Sequence, residues 1–224
     1  MPTILNYLRR NPSAGLLAVQ LLGFLLYPLM EASPSSRALF GAFGLIVLAA
    51  ALRVVRRSPW LTWLGLMLAL PVVALSAMTV ISPHPQFLVW SAALESLFYF
   101  YATGSLIAYM LQDWVATTDE LFAAGATFTL LAWAFAYAYV VCDAFFPGSF
   151  AAAGSAADAR TWMELLYLSV AVLSSVGLSD IVPVTPMARA VVMLESFAGV
   201  MYIALVVSRL ISMGNASRQG RAKG

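Results

Sequence analysis

The chain has 224 residues, of which 62% are hydrophobic and 10% charged, with a mean hydropathy of +0.88 and a formal net charge of +2. One soluble domain of this length cannot bury so much apolar surface, so the composition points to an integral membrane protein. A single cysteine, Cys142, and a single histidine, His84, exclude an intrachain disulfide and a multi-cysteine metal site. No paired catalytic acids, histidine cluster, nucleophile elbow or phosphate-binding loop supports an enzyme.

Residues 1–13 read as an interfacial N-terminal arm, with Leu5, Tyr7 and Leu8 beside Arg9 and Arg10. A membrane span needs about 20 apolar residues, and six stretches qualify: 14–30, 37–56, 60–81, 86–111, 121–147 and 186–212. Arg9 and Arg10 ahead of the first stretch also fit a signal peptide. Pro28 and Glu31 make a poor cleavage site, which favours a retained span.

The first four spans, 14–111, form a transmembrane bundle with very short connections, Ser33-Pro34-Ser35-Ser36 outside and Arg56-Arg57-Ser58-Pro59 inside. His84 falls in an outer hairpin as a solvated turn residue. Span four lacks the arginine ladder that voltage sensing needs. With both termini cytoplasmic, nine of the twelve Lys/Arg residues lie inside and Arg37, Arg160 and Arg189 outside, as the positive-inside rule requires.

Residues 112–120 form a linker, read either as a coupling element or as a plain interfacial turn. Thr117 and Glu120 carry a capping-box pattern, so a helix starts there and runs through span five. Residues 121–213 make up the C-terminal membrane half and 214–224 a cytoplasmic tail. Cys142 is a packing residue near the outer end of span five, and Asp143 is placed at the headgroups. Trp60, Trp63, Trp90, Trp114, Trp133 and Trp162 read as membrane anchors and offer no nucleic-acid or cofactor box. Glu95 and Glu195 are costly at bilayer depth and should face protein or water, with packing favoured over permeation for each.

Pro147-Gly148-Ser149 through Asp158 is small and polar, as an exposed outer loop would be. The apolar piece 161–173 reaches only about 20 Å at helical rise, enough for a re-entrant helix and too little to cross. It leads into Ser174-Ser175-Val176-Gly177-Leu178-Ser179-Asp180, followed by Pro183 and Thr185. Non-helical backbone at membrane depth persists only when buried in protein or lining a wet cavity, so this loop is a pathway candidate. Pro186 opens the last span and Gly199 interrupts it, either as a bending point or as a site of close helix packing.

These residues resemble the signature of the potassium-channel pore-loop superfamily, Thr-Val-Gly-Tyr-Gly-Asp with a Pro-x-Thr beyond it. Val176, Gly177, Asp180, Pro183 and Thr185 match, while Ser175, Leu178 and Ser179 replace Thr, Tyr and the second Gly. The resemblance implies an all-α integral membrane fold of six transmembrane helices, with a re-entrant pore helix and filter loop between helices five and six. It implies a homotetramer, not an enzyme, in a bacterial inner membrane among lipids. Potassium would pass, with sodium the other candidate ion, and no cofactor or nucleic acid would be involved. The carbonyls of Ser175, Val176, Gly177 and Leu178, with Ser179 at the mouth, would bind the ion, and Leu168, Ala171, Ser174, Asp180, Pro183 and Thr185 would support them. Gly199 would be the gating hinge.

Three departures from the signature carry consequences. A non-glycine in the left-handed region costs about 1–2 kcal/mol, so Ser179 either strains the outer site or widens the mouth. Leu178 and Leu168 replace a polar aromatic pair by an apolar contact without stranding a donor. Ala171 removes a Glu partner that some relatives supply to the Asp, leaving Asp180 to backbone amides, Arg189 or water. The alternative function is a non-conducting homologue with a distorted filter, serving as a structural or regulatory subunit.

Overall fold

A computed structural model of the chain describes residues 7, 11–31, 44, 46–51, 59–81, 84–111, 117–152 and 160–222. Most of the N-terminal arm, most of the second expected span, the 33–36 and 56–58 connections, the 112–116 part of the linker and residues 153–159 of the outer loop lie outside them. The described elements are α1 (Pro12–Glu31), helical residues 46–51, α2 (Pro59–Ile81), α3 (Pro85–Leu111), α4 (Thr118–Phe145), β1 (Phe150–Ala152), α5 (Trp162–Leu173), β2 (Ile181–Pro183) and α6 (Pro186–Ala222). Among them α4 and the Pro186–Arg209 part of α6 are long and apolar enough to cross a membrane.

Helix α4 is the core element. It begins where the Thr117 pattern predicts, with the Thr117 hydroxyl accepting from the Glu120 amide at 3.4 Å. The reciprocal half of that box is not formed, because the Glu120 carboxylate turns to Arg209 instead, at 3.1 Å. Helices α1, α3, α5 and α6 all pack against α4. An aromatic train joins three of them: Tyr99 of α3 meets Trp133 of α4 at 5.6 Å, and Trp133 meets Trp162 of α5 at 5.1 Å, both edge to face. Trp133 is therefore buried core rather than an interfacial anchor.

The α1 to α4 seam is polar and buried. Asp119 accepts from the Ser13 amide and hydroxyl, at 3.0 and 3.1 Å, where the positive end of α1 favours a carboxylate. Gln20 Oε1 accepts from the Thr129 hydroxyl at 2.7 Å, and Gly125 makes room for Leu17. Removing α1 would uncover Asp119 and Thr129. Helices α1 and α3 thus lie directly along α4, the segment that leads to the loop.

A small feature departs from an all-helical expectation. Strands β1 and β2 pair antiparallel, with Phe150 opposite Pro183, Ala151 opposite Val182 and Ala152 opposite Ile181. The start of the outer loop is thereby zipped to the chain leaving the filter segment.

Candidate functional site

Helix α5 sets the position of the loop. A full capping box fixes its start: the Thr161 hydroxyl accepts from the Glu164 amide at 3.3 Å, and Glu164 accepts from the Thr161 amide at 2.6 Å. Arg160 lies 3.7 Å from the same carboxylate. At the other end the chain reverses onto its own helix. The Ala171 carbonyl accepts from the Val176 and Gly177 amides, at 3.1 and 2.9 Å, and from the Ser174 hydroxyl at 3.2 Å. The Ser175 amide bonds to the Val172 carbonyl at 2.9 Å. Amide donors are thus turned toward the helix. Among the described residues the carbonyls of Ser175, Val176 and Leu178 accept no hydrogen bond. The same segment is open on its outer side, with Val176 61% and Leu178 71% exposed.

Backbone handedness differs in one place from expectation. Gly177 has φ of 68°, a conformation glycine takes at little cost. The non-glycine residue with positive φ is Ser175, at 59°, and not Ser179. Ser179 instead closes a tight turn: its amide reaches the Gly177 carbonyl at 3.1 Å and its hydroxyl accepts from the Ile181 amide at 3.1 Å. Leu168 is buried with Tyr139, Cys142, Phe150, Leu165, Ile181 and Ala188, while Leu178 faces outward.

Behind the outer end of the loop sits a residue that pattern reading missed. Ser149 is fully buried; its amide donates to Asp143 at 2.9 Å, its carbonyl accepts from the Val184 amide at 2.9 Å, and its hydroxyl lies 2.8 Å from that of Thr185. Asp143 therefore closes the turn after α4. Thr185 also accepts from the Ala188 amide at 3.3 Å and so caps α6, with Pro186 at the first helical position. Asp180 is exposed and makes no hydrogen bond or ion pair among the described residues, and Arg189 donates to the Pro183 carbonyl at 3.3 Å.

Helix α6 holds the loop from behind. Glu195 is fully buried and accepts from the Tyr139 and Ser169 hydroxyls. One turn later, a Cβ built on Gly199 would lie 2.3 Å from the Leu173 carbonyl oxygen, so glycine there admits the end of α5. Further along, Tyr202 donates to the Ala124 carbonyl and Arg209 pairs with Glu120. Ser169 and Tyr139 carry no motif; only an intramembrane carboxyl in need of donors could have pointed to them. Among the described residues little covers α6: 17% of its most apolar stretch is buried, against 61% for α4.

Residues 96–215 match the profile of a family described as ion channel. That range contains α4, the loop and nearly all of α6. No curated protein and no solved structure matches the chain.

Proposed function

Because this chain belongs to the ion channel family, a class of membrane protein that moves ions and is not an enzyme, we propose that it is a potassium-channel-like pore built from four copies around the 175–179 segment. The observation that carries this reading is the one-sided use of the loop backbone: amides bond back to Ala171 and Val172, while the Ser175, Val176 and Leu178 carbonyls stay unpaired on an exposed edge. A dehydrated cation needs such oxygens in a ring, and one copy cannot close a ring. Fourfold assembly would also cover the exposed face of α6 and bring Leu178 against a neighbour. In such an assembly the end of α5 would turn its negative pole toward the shared axis, which would favour a cation there.

In this reading Ser175, Val176, Gly177 and Leu178 line the sites and Ser179 forms the mouth. Leu168, Ala171, Ser174, Asp180, Pro183 and Thr185 support them, and potassium is the principal permeant ion with sodium admitted through the altered outer end. Six spans, with residues 121–213 as the pore domain, cytoplasmic termini and a bacterial inner membrane complete the arrangement. Gly199 serves packing in the conformation described, and a hinge role would require that contact to open.

Potassium flux into liposomes carrying the purified protein tests the proposal. The double variant Leu178→Tyr, Ser179→Gly is expected to raise the potassium-over-sodium permeability ratio at least several-fold. Equal ratios in the two proteins, or particles without a fourfold axis, would overturn it. A non-conducting homologue is the second reading, favoured by two observations: the Gly177 carbonyl is engaged by the Ser179 amide, and Ser175 adopts positive φ. Absence of flux from well-formed tetramers would establish it.

A further inference from the structure

Two rungs join α5 to α6. Ser169 and Leu173 lie one turn apart on α5, and Glu195 and Gly199 lie one turn apart on α6, so each pair shares one helix face. Ser169 meets Glu195 through a hydrogen bond, and Leu173 meets Gly199 through the missing side chain. Leu173 immediately precedes the loop, so whatever sets the depth of α5 sets the base of the loop as well.

The proton count at the polar rung is informative. Ser169 has one hydroxyl hydrogen and two acceptors in reach, the Ala132 carbonyl at 2.9 Å and Glu195 Oε1. Tyr139 supplies its single hydrogen to Glu195 Oε2. If Glu195 carries its own proton on Oε1, every partner is satisfied: Glu195 donates to Ser169, Ser169 to Ala132, and Tyr139 to Glu195. If it does not, Ser169 must divide its one hydrogen between the carboxylate and the Ala132 carbonyl, which already has a helical amide donor, and a charge remains in the apolar interior. Among the described residues no cation pairs with Glu195. The titratable groups facing it are Tyr139 from α4 and none from α5 or from its own helix.

We propose that Glu195 is a positioning residue for ion selection: held as a neutral acid, it clasps the pore helix to the inner helix through Ser169 and thereby fixes the loop at selective spacing. The inference rests on the channel reading above, and its test separates the two. Glu195→Gln keeps a donor for Ser169 and an acceptor for Tyr139, so its potassium-over-sodium permeability ratio is expected within about twofold of wild type. Glu195→Ala is expected to lower that ratio by threefold or more while the tetramer persists. Should Glu195→Ala not assemble, Ser169→Ala takes its place with the same expectation, since it removes the rung and leaves Tyr139 on Glu195. An unchanged ratio in the rung-breaking variant, or equal damage from Glu195→Gln, overturns the proposal. Infrared difference spectra give a readout independent of flux: a protonated carboxyl band in wild type that vanishes in Glu195→Gln is expected, and its absence overturns the neutral-acid assignment. A wild type silent to potassium would instead sink the channel reading, with the infrared band still deciding the state of Glu195.

Discussion

Replacing Gly199 by Ala is expected to lower the thermal stability of the protein sharply and to abolish ion flux. The added Cβ would stand 2.3 Å from the Leu173 carbonyl oxygen and 3.0 Å from the Leu173 carbonyl carbon and Cα. All three are backbone atoms at the end of α5, so no side-chain rotation can relieve the clash. Overpacking of this kind costs typically about 1–3 kcal/mol per site, and a backbone obstacle places it at the upper end or beyond. Relief requires α6 to move away from α5, which would carry Glu195 off Ser169 and loosen the loop from behind. Thermal unfolding in detergent, followed alongside liposome flux, checks this. A glycine needed only for bending would give a different result: normal unfolding temperature with reduced channel opening. Unchanged stability in Gly199→Ala would therefore remove the packing account.

The second large effect is expected where the start of α4 meets the C-terminal part of α6. Arg209→Ala leaves the Glu120 carboxylate, with its side chain 7% exposed, without the cation now 3.1 Å away. Breaking one partner of a buried pair costs about 3–5 kcal/mol, far more than a surface ion pair contributes. The double replacement Arg209→Met with Glu120→Leu should recover most of that loss, because no charge remains to be solvated. Denaturation of Arg209→Met, Glu120→Leu and the double variant, combined as a mutant cycle, measures the coupling. Additive effects, with no recovery in the double variant, would show that the pair does not hold α6 to the start of α4. A position next to Glu120, Asp119 already binds Ser13 of α1 and lies 3.4 Å from the Tyr109 hydroxyl of α3. Consecutive carboxylates thus tie α4 to α1 and α3 on one side and to α6 on the other.

Much of this arrangement is legible before folding. The capping residue Thr117 announces the start of α4, because its hydroxyl satisfies a local amide and needs nothing distant. The brevity of the 161–173 piece, the polar loop after it and the positive φ available to Gly177 follow from length, polarity and local sterics. Membership of a membrane class follows from composition alone.

Other features depend on partners far away in sequence. Ser179 looked like the strained position, yet the hydrogen bonds from Val176 and Gly177 to Ala171 fix the reversal so that the positive φ falls on Ser175. Ser149 looked like one more polar loop residue, and only the pairing of β1 with β2 makes it the support of Thr185. Local sterics, capping and hydropathy act within a few residues, so the chain by itself determined that it enters a membrane, where its helices begin and which segment must be non-helical. The choice between a hinge and a packing role for Gly199, the partners of Glu195 and Glu120, and the side of the loop on which carbonyls stay free were decided only by tertiary structure. Each depends on which distant backbone or hydroxyl arrives at hydrogen-bond or van der Waals distance, and such contacts leave no periodic trace in the sequence.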